Sequence, residues 1–166
     1  MILFTSVRLK KITSEIESKG YQNRYVMRTI KFRGRDIKTG KWFFGNYYDR
    51  DTKGNTHIAN LDEGCLTIDP ETVGQFTGLK DKKGQDIYEG DIICVKFIDG
   101  SGGNNLIGWN EEFASFGCMN RYEYRSIKEG YDFAAFNGYV LDAYRRKSII
   151  FEVVGNIHDN PELLEK

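Results

Sequence analysis

Two histidines and a pair of nearby carboxylates are the side chains in this sequence best suited to acid–base chemistry. His57 and His158 are the only histidines, and Glu89 and Asp91 flank Gly90. General acid–base catalysis needs such groups within hydrogen-bond reach of one another and of a substrate. His57 lies in a polar hairpin, and a carboxylate at a turn, such as Asp91, more often accepts backbone amides than transfers protons. No nucleophile accompanies these groups, so we expect a protein that is not an enzyme.

Three cysteines, Cys65, Cys94 and Cys118, are odd in number and widely spaced. This pattern argues against a disulfide framework and is typical of free thiols in a reducing cytosol. No Cys-x-x-Cys or His-x3-His spacing is present to organise a zinc site. The glycine-rich segment 99–105 lacks the Lys-Ser/Thr ending of a phosphate-binding loop and is typical of a hairpin connection. We therefore expect no metal, no cofactor and a cytoplasmic location.

Two clusters of tyrosine and basic residues could bind nucleic acid, because small β-barrels hold single strands with aromatic and basic groups on one face. The first cluster is Arg121, Tyr122, Tyr124 and Arg125, and the second is Tyr144, Arg145, Arg146 and Lys147. The alternative is an ordinary solvated edge. Lysine plus arginine and aspartate plus glutamate both number 24, so no overall positive field favours a polyanion.

Length and composition favour one mainly β domain. A chain of 166 residues is long enough to bury a genuine core. Eighteen glycines, two prolines and 14% aromatic residues suit short strands joined by tight turns better than a helical bundle. No apolar run approaches the roughly 20 residues that a helix needs to cross a bilayer, so we expect no membrane partner.

Two strands are predicted to supply the core. Side chains alternate across a strand, so Ile93, Val95 and Phe97 share one face, and Ile149, Phe151 and Val153 share a face of a second strand. We expect these six side chains to meet in a common interior and the other face of each strand to be less buried. Residues 106–109 are predicted to pair with 92–98 across the glycine-rich loop.

Helices are predicted mainly at the two ends of the chain. Residues 6–19 can form a helix with Ser6 as N-cap, and Asn160 with Pro161 is typical of the start of a short C-terminal helix. Asp69, Pro70 and Glu71 could open a brief helical turn. Residues 41–48 carry aromatic side chains on both faces, so we expect both faces to be covered. Residues 110–147 show no sustained period of 2 or 3.6 and are either a recognition insertion or an added hairpin.

Four segments occur together in this chain: 30–36 (IKFRGRD), 39–45 (TGKWFFG), 70–92 (PETVGQFTGLKDKKGQDIYEGDI) and 153–164 (VVGNIHDNPELL). In combination they resemble the YopX family, which is found in bacteriophages and prophages. The resemblance covers residues 28–164 at its two ends and is weak between about 99 and 147. It implies a mostly β phage protein without assigned catalytic residues. The motif residues expected to be structural are Gly78, Leu79, Asp81, Gly84, Gly90, Asp91, Gly155, Asn156, Asn160 and Pro161.

These observations lead to one architecture and two functional hypotheses. We expect a mainly β fold of antiparallel, barrel-like sheets with an SH3-like centre, preceded by an extension at 1–26 and containing a variable insertion at about 110–147. The favoured function is a non-catalytic module that binds a phage or host protein or assembles with itself. The alternative is a β-barrel protein that binds single-stranded nucleic acid.

Overall fold

The computed structural model describes residues 29–49, 51–97, 99–129 and 149–165, and these form strands, one α-helix and one 3-10 turn. The predicted N-terminal helix at 6–19, like the cluster Tyr144 to Lys147, lies outside the described residues. The strands are β1 (Phe32–Asp36), β2 (Trp42–Tyr48), β3 (Thr56–Asn60), β4 (Gly64–Lys80), β5 (Asp86–Tyr88), β6 (Asp91–Phe97), β7 (Gly102–Asn110), β8 (Ser115–Asn120) and β9 (Ile149–Asn156). The helix is α1 (Arg121–Lys128), and the 3-10 turn is Pro161–Leu164.

The strands form two antiparallel sheets, which confirms the predicted mainly β architecture. The first sheet has the order β1-β2-β3-β4-β5, and it partly closes because β1 also pairs with β4. The second sheet has the order β8-β7-β6-β9. The SH3-like centre stays a prediction. Among the described residues, no helix combines the length and apolar character needed to span a bilayer.

The helical turn predicted at Asp69 to Glu71 is wrong, because these residues lie within the 17-residue strand β4. The register explains the error: Arg33 pairs with Gly74 while Arg35 pairs with Asp69, so β4 carries extra residues between the two pairs. The Thr72 hydroxyl fills this bulge, accepting the Arg35 amide at 2.8 Å and donating to the Asp69 carbonyl at 2.7 Å. A local polar signal therefore marks a bulge rather than a helix.

The predicted pairing across the glycine-rich loop is confirmed. Strand β6 pairs with β7, with Ile92 opposite Leu106, and it pairs on its other side with β9, with Val95 opposite Phe151. Strand β6 is therefore central in its sheet, which fits its run of β-branched residues.

Five of the six predicted core residues meet in one interior. Ile93, Val95, Ile149 and Phe151 are at most 5% exposed, and Val153 packs against them. The expectation for Phe97 is wrong, because its side chain is 37% exposed. The hairpin of β4 and β5 covers the interior by inserting Ile87 and Leu79 into the same cluster.

The opposite face of the second sheet is also buried near its centre, contrary to the expectation of a single core face. This second cluster contains Ile92, Leu106, Met119 and Leu164. The C-terminal turn supplies Leu164, which is fully buried, and Pro161 occupies its first position as predicted. The expected capping by Asn160 is wrong, because its side chain makes no capping hydrogen bond. Asn160 instead packs against Gly155, where an added Cβ would lie 2.5 Å from its Oδ1.

Two aromatic segments also differ from expectation. In β2, Phe44 and Tyr48 are 46% and 55% exposed, so only one face of this strand is covered. In the segment expected to be a recognition insertion or an added hairpin, residues 121–128 form α1, which begins with a capping box between Asn120 and Glu123. The Asn120 side chain accepts the amides of the first turn, and Glu123 accepts the Asn120 amide at 2.9 Å. This reciprocal pairing stabilises a helix too short to show a clear period.

Replacing Phe151 by alanine should lower the free energy of unfolding by about 3–5 kcal/mol, because a large ring is removed from a fully buried site. Urea unfolding followed by tryptophan fluorescence measures the change. Phe97→Ala is the matched control, since the same ring is lost from a partly solvated site in the neighbouring strand, and it should cost well under half as much. Equal losses would contradict the assignment of the interior.

Candidate functional site

Basic side chains occupy alternate positions along β1 and the residue before it. Lys31, Arg33 and Arg35 share one face because alternate residues of a strand point the same way. Their carboxylate partners are Asp86, Asp91 and Asp159, respectively. Asp91 and Asp159 belong to segments of the second sheet, so Arg33 and Arg35 join the two sheets. We call Arg33, Arg35, Trp42, Asp91 and Asp159 the inter-sheet cluster.

Arg33 and Asp91 form its buried centre. One guanidinium nitrogen lies 2.6 Å from Asp91 Oδ1, and a second donates to the Glu89 carbonyl at 3.0 Å. The Arg33 and Asp91 side chains are only 9% and 1% exposed. The other carboxylate oxygen of Asp91 accepts the Tyr88 amide at 2.7 Å, in line with the predicted role of Asp91 as an amide acceptor.

Trp42 contacts Arg35 and Asp159, the other charged residues of the inter-sheet cluster. Its indole N–H donates to Asp159 Oδ2 at 2.8 Å, and Asp159 also pairs with Arg35. The guanidinium carbons of Arg33 and Arg35 lie 4.7 Å and 5.2 Å from the Trp42 ring centroid. The ring therefore lies within cation–π distance of both arginines, which lowers the cost of placing two positive charges close together. Asn156 completes the arrangement by donating to Asp159 Oδ2 at 2.6 Å.

Ionisable groups at this junction have shifted pKa values. Burial raises the pKa of Asp91, although Arg33 and the Tyr88 amide oppose the shift. Burial likewise raises the pKa of Glu89, which accepts the Gln75 amide at 3.0 Å. Burial, together with the positive charges of Arg33 and Arg35, lowers the pKa of His158.

Shifted pKa values often mark active sites, but structural ion pairs produce them too. Both carboxylate oxygens of Asp91 have partners within the protein. Of three cavities of about 420–450 Å³ in the described part, one is lined in part by Trp42 and another by Arg33, and none by Glu89, Asp91 or His158. The paired charges of the inter-sheet cluster therefore form a junction between the two sheets.

A second junction forms at the turn of residues 81–84. Asp81 Oδ1 accepts the amides of Lys83 and Gln85 at 2.8 Å and 2.9 Å, which closes the turn. Its Oδ2 accepts the Val153 amide at 3.2 Å, and the Lys82 amide donates to the Phe151 carbonyl at 3.0 Å. The turn thus occupies hydrogen-bonding groups along β9, an edge strand of the second sheet.

The other motif residues lie at or near these junctions. Gly78, Gly84 and Gly90 have φ near +80°, a conformation that favours glycine. Gly90 also links the sheets through its backbone, donating to Ile107 and accepting from Ile157. Leu79 packs against the main core, and Asn156 Oδ1 accepts the amides of His158 and Asp159.

The first predicted nucleic-acid cluster lies on α1 and is divided between two environments. Tyr122 is 64% exposed, and the Arg121 guanidinium donates to its hydroxyl at 3.0 Å. Tyr124 instead packs against the second core cluster, and Arg125 donates to the Glu165 carbonyl. Two of these four residues, Arg121 and Tyr122, line one of the cavities in the described part of the chain.

His57 and the cysteines have separate local environments. His57 Nε2 lies 3.1 Å from Asp51 Oδ2, and its Nδ1 lies 3.4 Å from the Thr67 hydroxyl. Hydrogen bonds from Asn55 and His57 lower the pKa of Asp51, which organises the β2–β3 hairpin. Burial raises the pKa of the Cys118 thiol to about 12. In the described ranges, no group of three or more His, Cys, Asp or Glu side chains is placed to hold a metal ion.

The inter-sheet cluster was not predicted as a unit. One signal was present in the sequence, since basic residues at 31, 33 and 35 alternate with Phe32 and Gly34. Such alternation indicates a strand with one polar face. The identity of the partners, Asp91 and Asp159, has no local signal because both lie far away along the chain.

Asp91→Asn should lower the free energy of unfolding by about 3 kcal/mol, because the amide keeps an acceptor for Tyr88 but leaves the Arg33 charge buried and unpaired. Arg33→Met should also destabilise the protein. The double variant should lose less than the sum of the two single losses, since the charge that caused much of each loss is gone. A double-mutant cycle by urea unfolding measures this coupling, and strict additivity would contradict a direct interaction.

Glu152 gives the second junction a pH dependence. Its ion pairs with Lys82 and Lys83 hold the pKa of Glu152 near 2, below the usual 4.5. A carboxyl group whose pKa is lower in the folded state than in the unfolded state stabilises the fold at pH values above its unfolded pKa. For Glu152 this contribution disappears as the pH falls from about 4.5 towards 2. The stability difference between wild type and Glu152→Gln should therefore be present at pH 7 and vanish near pH 2. In a Lys82→Gln/Lys83→Gln background, Glu152→Gln should have little effect at either pH.

Comparison with known proteins places the chain in a family. A family model described as YopX protein matches residues 31–165. The chain is also similar to the crystal structure of protein EF1440 from Enterococcus faecalis, with 24% identity and a TM-score of 0.40, over 82% of this chain and 98% of that one. No curated protein matches it. Since the family match spans both sheets and both junctions, the chain belongs to the YopX protein family.

Proposed function

We propose that this protein is a non-catalytic module that binds another protein in the cytosol of a phage-infected or prophage-carrying host. The partner is a phage or host protein or a second copy of this chain. The observation that carries the proposal is an aromatic patch at the β7–β8 hairpin, formed by Trp109, Phe113 and Phe116. Trp109 is 40% exposed and Phe113 is 70% exposed.

The patch is held on a rigid base. The Trp109 and Phe116 rings meet edge to face with centroids 5.1 Å apart, and Phe116 packs against the main core. Asn110 shapes the turn by accepting the Phe113 amide at 3.0 Å, and Ala114 adopts a positive φ of 46°. A non-glycine residue in this conformation is strained, and such strain is often found at functional positions. The strained turn displays an apolar ring to solvent.

Exposed aromatic side chains on a rigid support are typical of binding surfaces. Tryptophan is enriched among the residues that contribute most to protein interfaces, and exposed apolar patches mark interaction sites. The charged groups of the inter-sheet cluster form ion pairs with one another. Because their charges are used within the protein, this arrangement supports a binding role over a catalytic one. The aromatic patch supplies the contact.

The test compares the wild-type chain with Trp109→Ser/Phe113→Ser. Phe113 is mostly exposed and Trp109 is partly exposed, so the double variant should keep the fold, which circular dichroism checks. Light scattering over a range of concentrations detects self-association. A pull-down from induced cells, with half of each sample treated with nuclease, identifies other protein partners by mass spectrometry.

We expect the wild-type chain to retain a protein partner after nuclease treatment, or to form an oligomer. The double variant should bind that partner, or itself, at least tenfold more weakly, as expected when one hot-spot tryptophan is lost. Tyr48→Ser is the matched control because it removes an exposed aromatic ring from the first sheet, and it should leave binding intact. A monodisperse wild-type monomer that retains no protein would contradict the proposal. Equal loss in the Tyr48 variant would place the contact elsewhere.

A further inference from the structure

A groove lies on the second sheet at the end opposite the aromatic patch. Its volume is about 420 Å³, within the range of small-ligand sites. The described residues that line it are Val95, Phe97, Gly102, Gly103, Asn104, Asn105, Asn120, Arg121 and Tyr122. Arg121 is the one charged residue in this set, and no carboxylate belongs to it.

The groove is open because residue 103 has no side chain. A Cβ on Gly103 would meet no heavy atom within 4 Å, so the space above it is unoccupied by protein. The neighbouring Gly102 has a different role, since a Cβ there would lie 1.9 Å from the Val95 carbonyl oxygen. Glycine at 102 is thus required by the backbone, whereas glycine at 103 leaves room for a ligand.

Two aromatic rings border the open space. Phe97 is 37% exposed and Tyr122 is 64% exposed. The Arg121 guanidinium lies 4.9 Å from the Tyr122 ring centroid and donates to its hydroxyl, which fixes the orientation of the ring. A planar ligand can stack on such a surface.

Asparagine amides supply the polar groups of the groove. Asn105 lies on the same face of the sheet as Gly103 and donates to the Gly103 carbonyl at 2.9 Å, whereas Asn104 points to the opposite face and donates to the Leu163 carbonyl. Asn120 Oδ1 accepts the amides of Tyr122 and Glu123. The Asn105 and Asn120 side chains are each held through one of their two polar groups, while the other, the acceptor of Asn105 and the donor of Asn120, has no partner among the described residues. Fixed amides of this kind can read the hydrogen-bonding edge of a planar ring.

We propose that this groove binds an unpaired base of a single-stranded nucleic acid. Stacking on Phe97 or Tyr122 and hydrogen bonds from the asparagine amides match the way proteins hold splayed-out bases. An extended peptide fits less well, because β6 and β7 are interior strands whose backbone groups are already paired and cannot accept a further strand. The site is separate from the aromatic patch and does not depend on it.

The test measures binding of a fluorescein-labelled single strand of about 12 nucleotides, a length that one small β domain can cover, to the full chain. Fluorescence anisotropy gives the affinity, with a duplex of the same sequence as competitor. Gly103→Leu should abolish binding by filling the groove, and Tyr122→Leu should weaken it by about tenfold through loss of stacking. Tyr48→Leu, which removes an exposed tyrosine from the first sheet, should leave the affinity unchanged.

The salt dependence provides a second readout. Each phosphate contact to a single strand contributes about −0.7 to the slope of log affinity against log salt, so the single cation Arg121 predicts a slope near this value. Thermal unfolding confirms that Gly103→Leu and Tyr122→Leu remain folded.

The proposal is overturned if the wild-type chain binds no single strand, if the duplex binds as tightly, or if both groove variants bind normally. A steep salt slope would overturn it by indicating a more basic surface elsewhere. Loss of a protein partner in Gly103→Leu, without oligonucleotide binding by the wild type, would make the groove a protein site instead.

Discussion

The buried ion pair between Arg33 and Asp91 is the interaction on which the arrangement of the two sheets depends. Removing two charges from water is costly, and such a pair contributes more to a defined geometry than to net stability. The alternation along β1 makes that geometry unique. A shift of one residue would turn the arginines towards the apolar interior of the first sheet, where Phe43, Ile58 and Ile68 pack.

The second junction, at Asp81, joins the same two sheets at the other end of the β4–β5 hairpin. Between the two junctions, Ile87 and Leu79 of the first sheet complete the core of the second. The family-like segments therefore converge on contacts between the sheets, and they also line two of the cavities. This placement explains the shifted pKa values of Glu89, Asp91 and His158, because burial is the largest cause of each shift.

Surfaces available for recognition lie where the second sheet extends beyond this contact. Trp109 and Phe97 are on opposite ends of the β6–β7 pair, and each is partly exposed on the face whose centre the first sheet covers. A rigid scaffold that presents side chains at its margins suits binding, because the contacts that hold the fold are not the contacts offered to a partner.

The sequence by itself determined the features that neighbouring residues encode. Alternation identified the core faces of β6 and β9, and glycines at 84 and 90 marked turns in which both have positive φ. The capping box that starts α1 was also readable, although eight residues gave too short a period to reveal the helix. Tertiary structure alone decided the bulge in β4, the exposure of Phe97, the partners of Arg33 and Arg35, and the groove at Gly103. Each of these depends on which distant segment lies opposite a residue, and local propensity carries no information about that choice.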